Sequence, residues 1–223
     1  MAQQLTFDLP AKPALGRDAF YVSPANAAAV QRLEHWPDWP GRRLALCGAP
    51  GTGKTHLAKV WAAESGAEII AAGNLTEAGA DALSRRPCLA LEDAEAVAGD
   101  AGREAALFHL YNLMQAAGGY LLLTATRPPA HWPIVLPDLK SRLQTLAVSY
   151  LEAPDDALLS ALLLKLFADR QITVTPALVA YLVARIERSA AAAGAIVAAL
   201  DEAALQRKSA VTRRLAAELL DKP

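Results

Sequence analysis

Eight consecutive residues, Gly48-Ala49-Pro50-Gly51-Thr52-Gly53-Lys54-Thr55, constrain this chain more than any other feature. They fit G-x-x-x-x-G-K-[ST], a loop whose glycines let backbone N–H groups curl around phosphate oxygens without a side-chain clash. The pattern carries that meaning only between a strand and a helix, and both are predicted. Leu44–Cys47 is a short apolar run, and Lys54–Ser65 is patterned as a helix. A helix opening at this point aims the positive end of its dipole at the same anion. Pro50, Gly51, Thr52, Gly53, Lys54, Thr55 and His56 are therefore the candidate phosphate-binding residues. Lys54 is expected to reach the β and γ phosphates, and the Thr55 hydroxyl to help hold Mg.

The rest of the chain agrees with such a loop. Apolar runs at Glu68–Ala71, Cys88–Leu91, Tyr120–Thr124 and Thr145–Tyr150 add four strands. Helical patterns at Thr76–Arg85 and Arg103–Ala117 separate most of them, and an earlier helix is expected from Ser23-Pro24 to about His35. This alternation predicts an α/β fold, a five-stranded parallel sheet with helices on both faces. After Tyr150 only helices are expected, over Ala157–Asp169, Pro176–Glu187, Ala190–Arg207 and Thr212–Leu220. The expected organisation is a flexible tail over 1–17, an α/β domain over 18–151 and a small all-helical domain over 152–223. Hydrophobic residues reach 53% although aromatics are only 6%, so the apolar content is largely small, as closely packed alanine-rich helices require.

Charge narrows the function. Lys and Arg number 22 and Asp and Glu 23, for a net charge of −1, which is not the basic module that nucleic-acid binding usually needs. No apolar run approaches the roughly 18 residues of a membrane span. The start of the chain, MAQQLTFDLP, lacks the charged and apolar regions of a secretory signal. Cys47 and Cys88 both fall in apolar strand runs and read as buried, reduced thiols of a cytoplasmic protein.

A phosphate loop works with acids on a neighbouring strand. Cys88-Leu89-Ala90-Leu91 is followed by Glu92-Asp93, at the strand end where open α/β sheets place ligands. Glu92 is the candidate for orienting Mg through water, and Asp93 for polarising an attacking water. Glu95 and Asp100 read as solvated loop acids.

These motifs resemble the AAA+ family and, within it, the DnaA-related regulatory inactivators of the Hda type. The resemblance rests on GAPGTGKTHL (48–57), LALEDAEAVAGD (89–100), LLLTATRPPAHW (121–132), LPDLKSRL (136–143) and the helical C-terminal part. It implies an AAA+ sheet with a helical lid. Thr126, with Thr124 as second choice, would sense the γ-phosphate. Arg142 would be an arginine finger acting in trans, a surface helix arginine being the alternative. The family's first strand acid is Asp, so the longer Glu92 argues for slow hydrolysis by the chain itself. Ala191 stands where the family has its second sensor arginine, with Arg188 one turn earlier. Phe20, Tyr21 and Val22, with Asn26, would border the base. Gln4, Leu5, Phe7 and Leu9 resemble a peptide that anchors replication proteins to the polymerase sliding clamp.

The implied function is a regulator that binds ADP or ATP, docks on the DNA polymerase sliding clamp and stimulates ATP hydrolysis by DnaA, repressing re-initiation of replication. It implies no sequence-specific DNA binding and no membrane partner, and a homodimer is compatible with it. A self-sufficient AAA+ ATPase, a helicase loader or transposition helper, is the alternative.

Overall fold

The computed structural model describes residues 21–220. Phe20 and the tail residues Gln4, Leu5, Phe7 and Leu9 lie outside the described residues.

Five strands form one parallel sheet: β1 (Arg43–Cys47), β2 (Glu68–Ala71), β3 (Cys88–Glu92), β4 (Tyr120–Ala125) and β5 (Val148–Tyr150), in the order β2-β3-β4-β1-β5. The strand before the phosphate loop therefore sits inside the sheet, flanked by β4 and β5. Leu46 pairs with Thr124 and Ser149, and Cys47 with Ala125 and Tyr150.

Because side chains alternate across a strand, each face of the sheet gathers its own core. Ala45, Cys47, Leu89, Leu91, Leu121, Leu123 and Ala125 point to one face. There they meet α3 (Glu77–Leu83), α4 (Ala101–Ala116) and α5 (Pro137–Gln144) through Ala80, Leu107, Leu110, Met114 and Leu139. Leu44, Leu46, Cys88, Ala90 and Leu122 point to the other face. That face is covered by α1 (Ala27–Glu34) and α2 (Lys54–Ser65) through Ala29, Leu33, Leu57 and Trp61. Cys47 and Cys88 are both buried and unpaired by disulfide.

A third core belongs to the helices after the sheet: α6 (Asp156–Asp169), α7 (Pro176–Val183), α8 (Ala190–Arg207) and α9 (Arg213–Leu220). Phe167, Leu182, Val197, Leu200 and Leu215 are among its buried members. Asp155, Thr175 and Ser189 cap α6, α7 and α8 by accepting the N–H of Leu158, Leu178 and Ala192. Such a cap contributes about 1 kcal/mol.

Four local readings change. The first helix starts at Ala27 rather than at Ser23-Pro24, because Ser23 and Asn26 close a turn in which the Ser23 N–H donates to Asn26 Oδ1 at 2.9 Å. The helix after Thr175 stops at Val183, short of Glu187. Helix α5 was not expected from the apolar pattern. Asp100 is not a free loop acid, since its carboxylate accepts the N–H of Arg103 and caps α4.

Candidate nucleotide site

The phosphate loop leaves β1 and enters α2 by way of Gly51 at φ +76°, a backbone region that side chains rarely adopt. Space is equally restrictive. A Cβ on Gly48 would strike the Leu151 carbonyl, and one on Gly51 would come within 2.6 Å of the Ser189 Cβ. Lys54 opens α2 and is buried, with its ammonium donating to the carbonyls of Gly48 at 2.7 Å and Ala49 at 2.9 Å. Burial lowers its pKa, and the charges of Asp93 and Glu95 oppose that effect. The loop thus curls around a cation held in its own centre.

Two adjoining cavities meet at Gly53, His56 and Ala190. One, of about 420 Å³, is lined by Pro50, Gly51, Gly53, Lys54, Thr55, His56, Lys59, Asp93 and Ala190. Three cationic or potentially cationic side chains face one carboxylate there. The other, of about 190 Å³, lies between the loop and the helical bundle. Its walls are Tyr21 and Asn26 on one side and Pro154, Leu158, Leu162 and Lys165 on the other. Asn26 is buried and donates to the Tyr21 carbonyl at 2.9 Å, which fixes Tyr21 at the rim. Val22 packs instead against the core beneath α1 and α2.

The acids at the end of β3 divide in behaviour. Asp93 reaches the polar cavity from a left-handed backbone position at φ +51°. Its N–H donates to the buried Thr124 hydroxyl at 3.1 Å, so β4 fixes the turn that presents it. Glu92 Oε1 is buried and has no hydrogen-bond partner. Such an orphaned carboxylate oxygen suits a metal or a metal-bound water. Among the described residues no three His, Cys, Asp or Glu side chains form a metal cage. A metal at this site would need phosphate oxygens as co-ligands, which is the usual habit of Mg.

Thr126 does not stand free at the end of β4. Its N–H donates to Glu95 Oε1 at 3.1 Å and its hydroxyl also bonds that carboxylate, while the Arg127 N–H donates to Glu95 Oε2 at 3.4 Å. Burial raises the Glu95 pKa, but these hydrogen bonds outweigh it and hold the carboxyl below its ordinary value. Glu95, read from sequence as a solvated acid, therefore organises the segment after β4.

Arg142 lies elsewhere. Its guanidinium sits 5.3 Å from the ring centre of Phe108 and 5.6 Å from that of Tyr111, and donates to Gln115 at 3.1 Å, all on α4. None of these contacts lines the chain's own cavities. Arg188 is paired with Asp156 and donates to the Pro154 carbonyl.

With this geometry in place, known proteins can be compared. No protein-family model matches the chain. The chromosomal replication initiator protein DnaA of Sphingopyxis alaskensis is 30% identical over 220 residues, covering 82% of this chain and 48% of that protein. The chain thus spans about half the length of that relative. Domain III of Thermotoga maritima DnaA superposes with a TM-score of 0.77 at 19% identity, over 92% of this chain and 95% of that one. AMPPCP-bound DnaA from Aquifex aeolicus gives 0.70 at 16% identity, over 89% and 69%. This is a DnaA-like AAA+ chain. The Holliday junction branch migration motor RuvB of Thermotoga maritima shares the fold more distantly, with a TM-score of 0.64 at 17% identity over 80% and 62%.

In this DnaA-like chain the structure adds residues that sequence reasoning missed. Lys59 lines the larger of the two cavities, and its position one turn after Thr55 on the same helix face was a legible signal. Lys165, Leu158 and Leu162 reach the smaller cavity from α6, and no local pattern marks them. Ser189 and Ala190 join the phosphate loop directly, where the Ala190 N–H donates to the Gly51 carbonyl at 2.8 Å. Among the described residues no helix is long and apolar enough to cross a membrane.

Proposed function

We propose that this chain is a regulator of replication initiation that binds adenine nucleotide and stimulates ATP hydrolysis by the initiator DnaA. The observation that carries this reading is the placement of Arg142. It rests against Phe108, Tyr111 and Gln115 of α4, and none of these residues lines the two candidate nucleotide cavities. An arginine in that position serves a phosphate held by another molecule. Its planar fork neutralises charge as a phosphoryl group departs.

The chain's own site suits nucleotide binding. Tyr21, Leu158 and Leu162 offer an apolar slot for a purine, and AMPPCP is the ligand of the DnaA neighbour from Aquifex aeolicus. Lys54 exchanges the Gly48 and Ala49 carbonyls for phosphate oxygens. Thr55 and, through water, Glu92 would hold Mg, which supplies charge neutralisation between phosphates. Asp93 orients a water at the γ-phosphate side. Lid contacts to that phosphate are sparse, because Ala191 replaces an arginine and Arg188 is engaged by Asp156. ADP is therefore a fitting resident ligand. The tail residues Gln4, Leu5, Phe7 and Leu9 would dock on the sliding clamp, with Gln4 giving amide hydrogen bonds and the others apolar anchors.

Asp93 in the cavity favours a second reading, a self-sufficient ATPase. Turnover of the isolated chain separates the two. Hydrolysis by DnaA that accelerates only when this chain is added supports the regulator, whereas rapid hydrolysis by the chain alone supports the ATPase.

A further inference from the structure

One face of α4 follows α5 from before its first residue to its last turn. Glu104, Phe108, Tyr111 and Gln115 occupy positions i, i+4, i+7 and i+11, the spacing that aligns side chains along one helix face. All four meet the segment that carries Arg142. At one end Glu104 is only 1% exposed. Its carboxylate accepts the backbone N–H groups of Leu136 at 2.7 Å, Gly99 at 2.8 Å and Val135 at 3.0 Å. Leu136 immediately precedes α5. At the other end the Arg142 guanidinium rests near the rings of Phe108 and Tyr111 and bonds Gln115.

A carboxylate taken out of water is costly unless its lone pairs are used, and charge-assisted bonds to N–H groups are the strong kind. Capping α4 does not explain it, since Asp100 already does so. What Glu104 fixes is the entry to α5. That helix has eight residues, little more than two turns, so its entry sets where its last turn lies.

We propose that Glu104 is a positioning residue for Arg142. By holding the Val135–Leu136 backbone it sets α5 so that the guanidinium of Arg142 lies over Phe108 and Tyr111. A cation–π contact uses none of the guanidinium N–H donors, so those not given to Gln115 remain for a phosphate. This rests on the reading of Arg142 as a finger acting on a second molecule's nucleotide.

The test compares Glu104→Gln, Leu136→Pro and Arg142→Ala, with the double variant Glu104→Gln/Arg142→Ala. Leu136→Pro deletes one donor without touching the buried acid, and the Leu136 φ of −71° already suits proline. Three quantities are measured: ATP hydrolysis by DnaA, adenine-nucleotide affinity, and the ¹⁵N–¹H signal of Arg142 Nε. Glu104→Gln and Leu136→Pro are expected to keep nucleotide affinity and shift the Arg142 signal. Each should cut stimulated hydrolysis by about 10- to 100-fold, the scale of an ångström-sized misplacement. The double variant should be no worse than Arg142→Ala alone, because residues acting as one unit do not add. An Arg142 signal unmoved in a folded variant overturns the positioning role. If Glu104→Gln loses nucleotide affinity through unfolding, Leu136→Pro decides. If Arg142→Ala retains full stimulation, the finger reading fails, and the Arg142 signal alone decides the positioning.

Discussion

The Arg188 guanidinium meets the Asp156 carboxylate at 2.6 Å, which ties the entry of α8 to the first turn of α6. That arginine is expected one helical turn before Ala191 as the natural substitute for a lid sensor, but it precedes the N-cap Ser189 and lies outside α8. Its engagement instead gives the bundle a surface ion pair, a contact worth about 0–1 kcal/mol.

Arg188→Ala should accordingly leave the ratio of ATP to ADP affinity unchanged in calorimetry. Turnover of the isolated chain should stay below about 1 s⁻¹, the low end of ordinary enzyme rates. A ligand shifts an equilibrium only by its differential contacts, and the lid offers few to a γ-phosphate. A strong ATP preference abolished by Arg188→Ala would show that the ion pair opens and the arginine senses nucleotide.

Lys54→Ala should abolish measurable adenine-nucleotide binding, because the loop loses the cation at its centre. The thermal midpoint of the wild type should rise on adding ADP or ATP, and that of the variant should not, since only a ligand that binds the native state stabilises it. An equal rise in both proteins would place the nucleotide elsewhere.

Glu104 makes a separate prediction about acid. Its carboxyl is buried, which alone would raise its pKa, but the N–H groups of Leu136, Gly99 and Val135 hold it below the ordinary value of 4.5. A group whose pKa is lower folded than unfolded contributes stability above its unfolded value, and that contribution is lost as pH falls through the folded one. Stability should therefore decline as pH drops below about 4.5, the unfolded value. Glu104→Gln should flatten that decline and cost about 1–3 kcal/mol at neutral pH, the penalty for leaving buried N–H groups poorly paired. Denaturant melts at several pH values measure both effects, and parallel pH profiles in the two proteins would contradict the assignment.

The parts of the site that were legible in the sequence are local. Gly48, Gly51, Gly53 and Lys54 lie within seven residues, and the positive φ of Gly51 and Gly53 is a local backbone demand, although the neighbours that also exclude a side chain at Gly48 and Gly51, Leu151 and Ser189, are distant in sequence. The two-faced alternation of Leu44, Ala45, Leu46 and Cys47 likewise belongs to a single strand. What escaped is non-local. Glu95 finds Thr126 and Glu104 finds Leu136 across intervening helices and strands, so neither acid differs in sequence from a solvated one. Helix α5 escaped because Pro137, Asp138, Lys140 and Ser141 dilute its apolar pattern to Leu139 and Leu143, which only the core of the sheet reveals.

Leu5→Ala/Phe7→Ala should remove binding to the sliding clamp in surface plasmon resonance while leaving nucleotide affinity intact. Apolar anchors dominate extended-peptide docking, and the phosphate loop is a separate site. Clamp affinity that survives both changes would assign docking to another surface.

The central claim is that Arg142 acts on a nucleotide held by DnaA. Its most direct test is the rate of ATP hydrolysis by DnaA, with clamp loaded on DNA, in the presence of wild-type chain or Arg142→Ala. Arginine fingers contribute about 10³–10⁵ in rate in well-studied GTPases. The wild type should accelerate hydrolysis, and Arg142→Ala should fail to do so while binding nucleotide and clamp normally. Equal acceleration by the two proteins, or none by the wild type, would contradict the account.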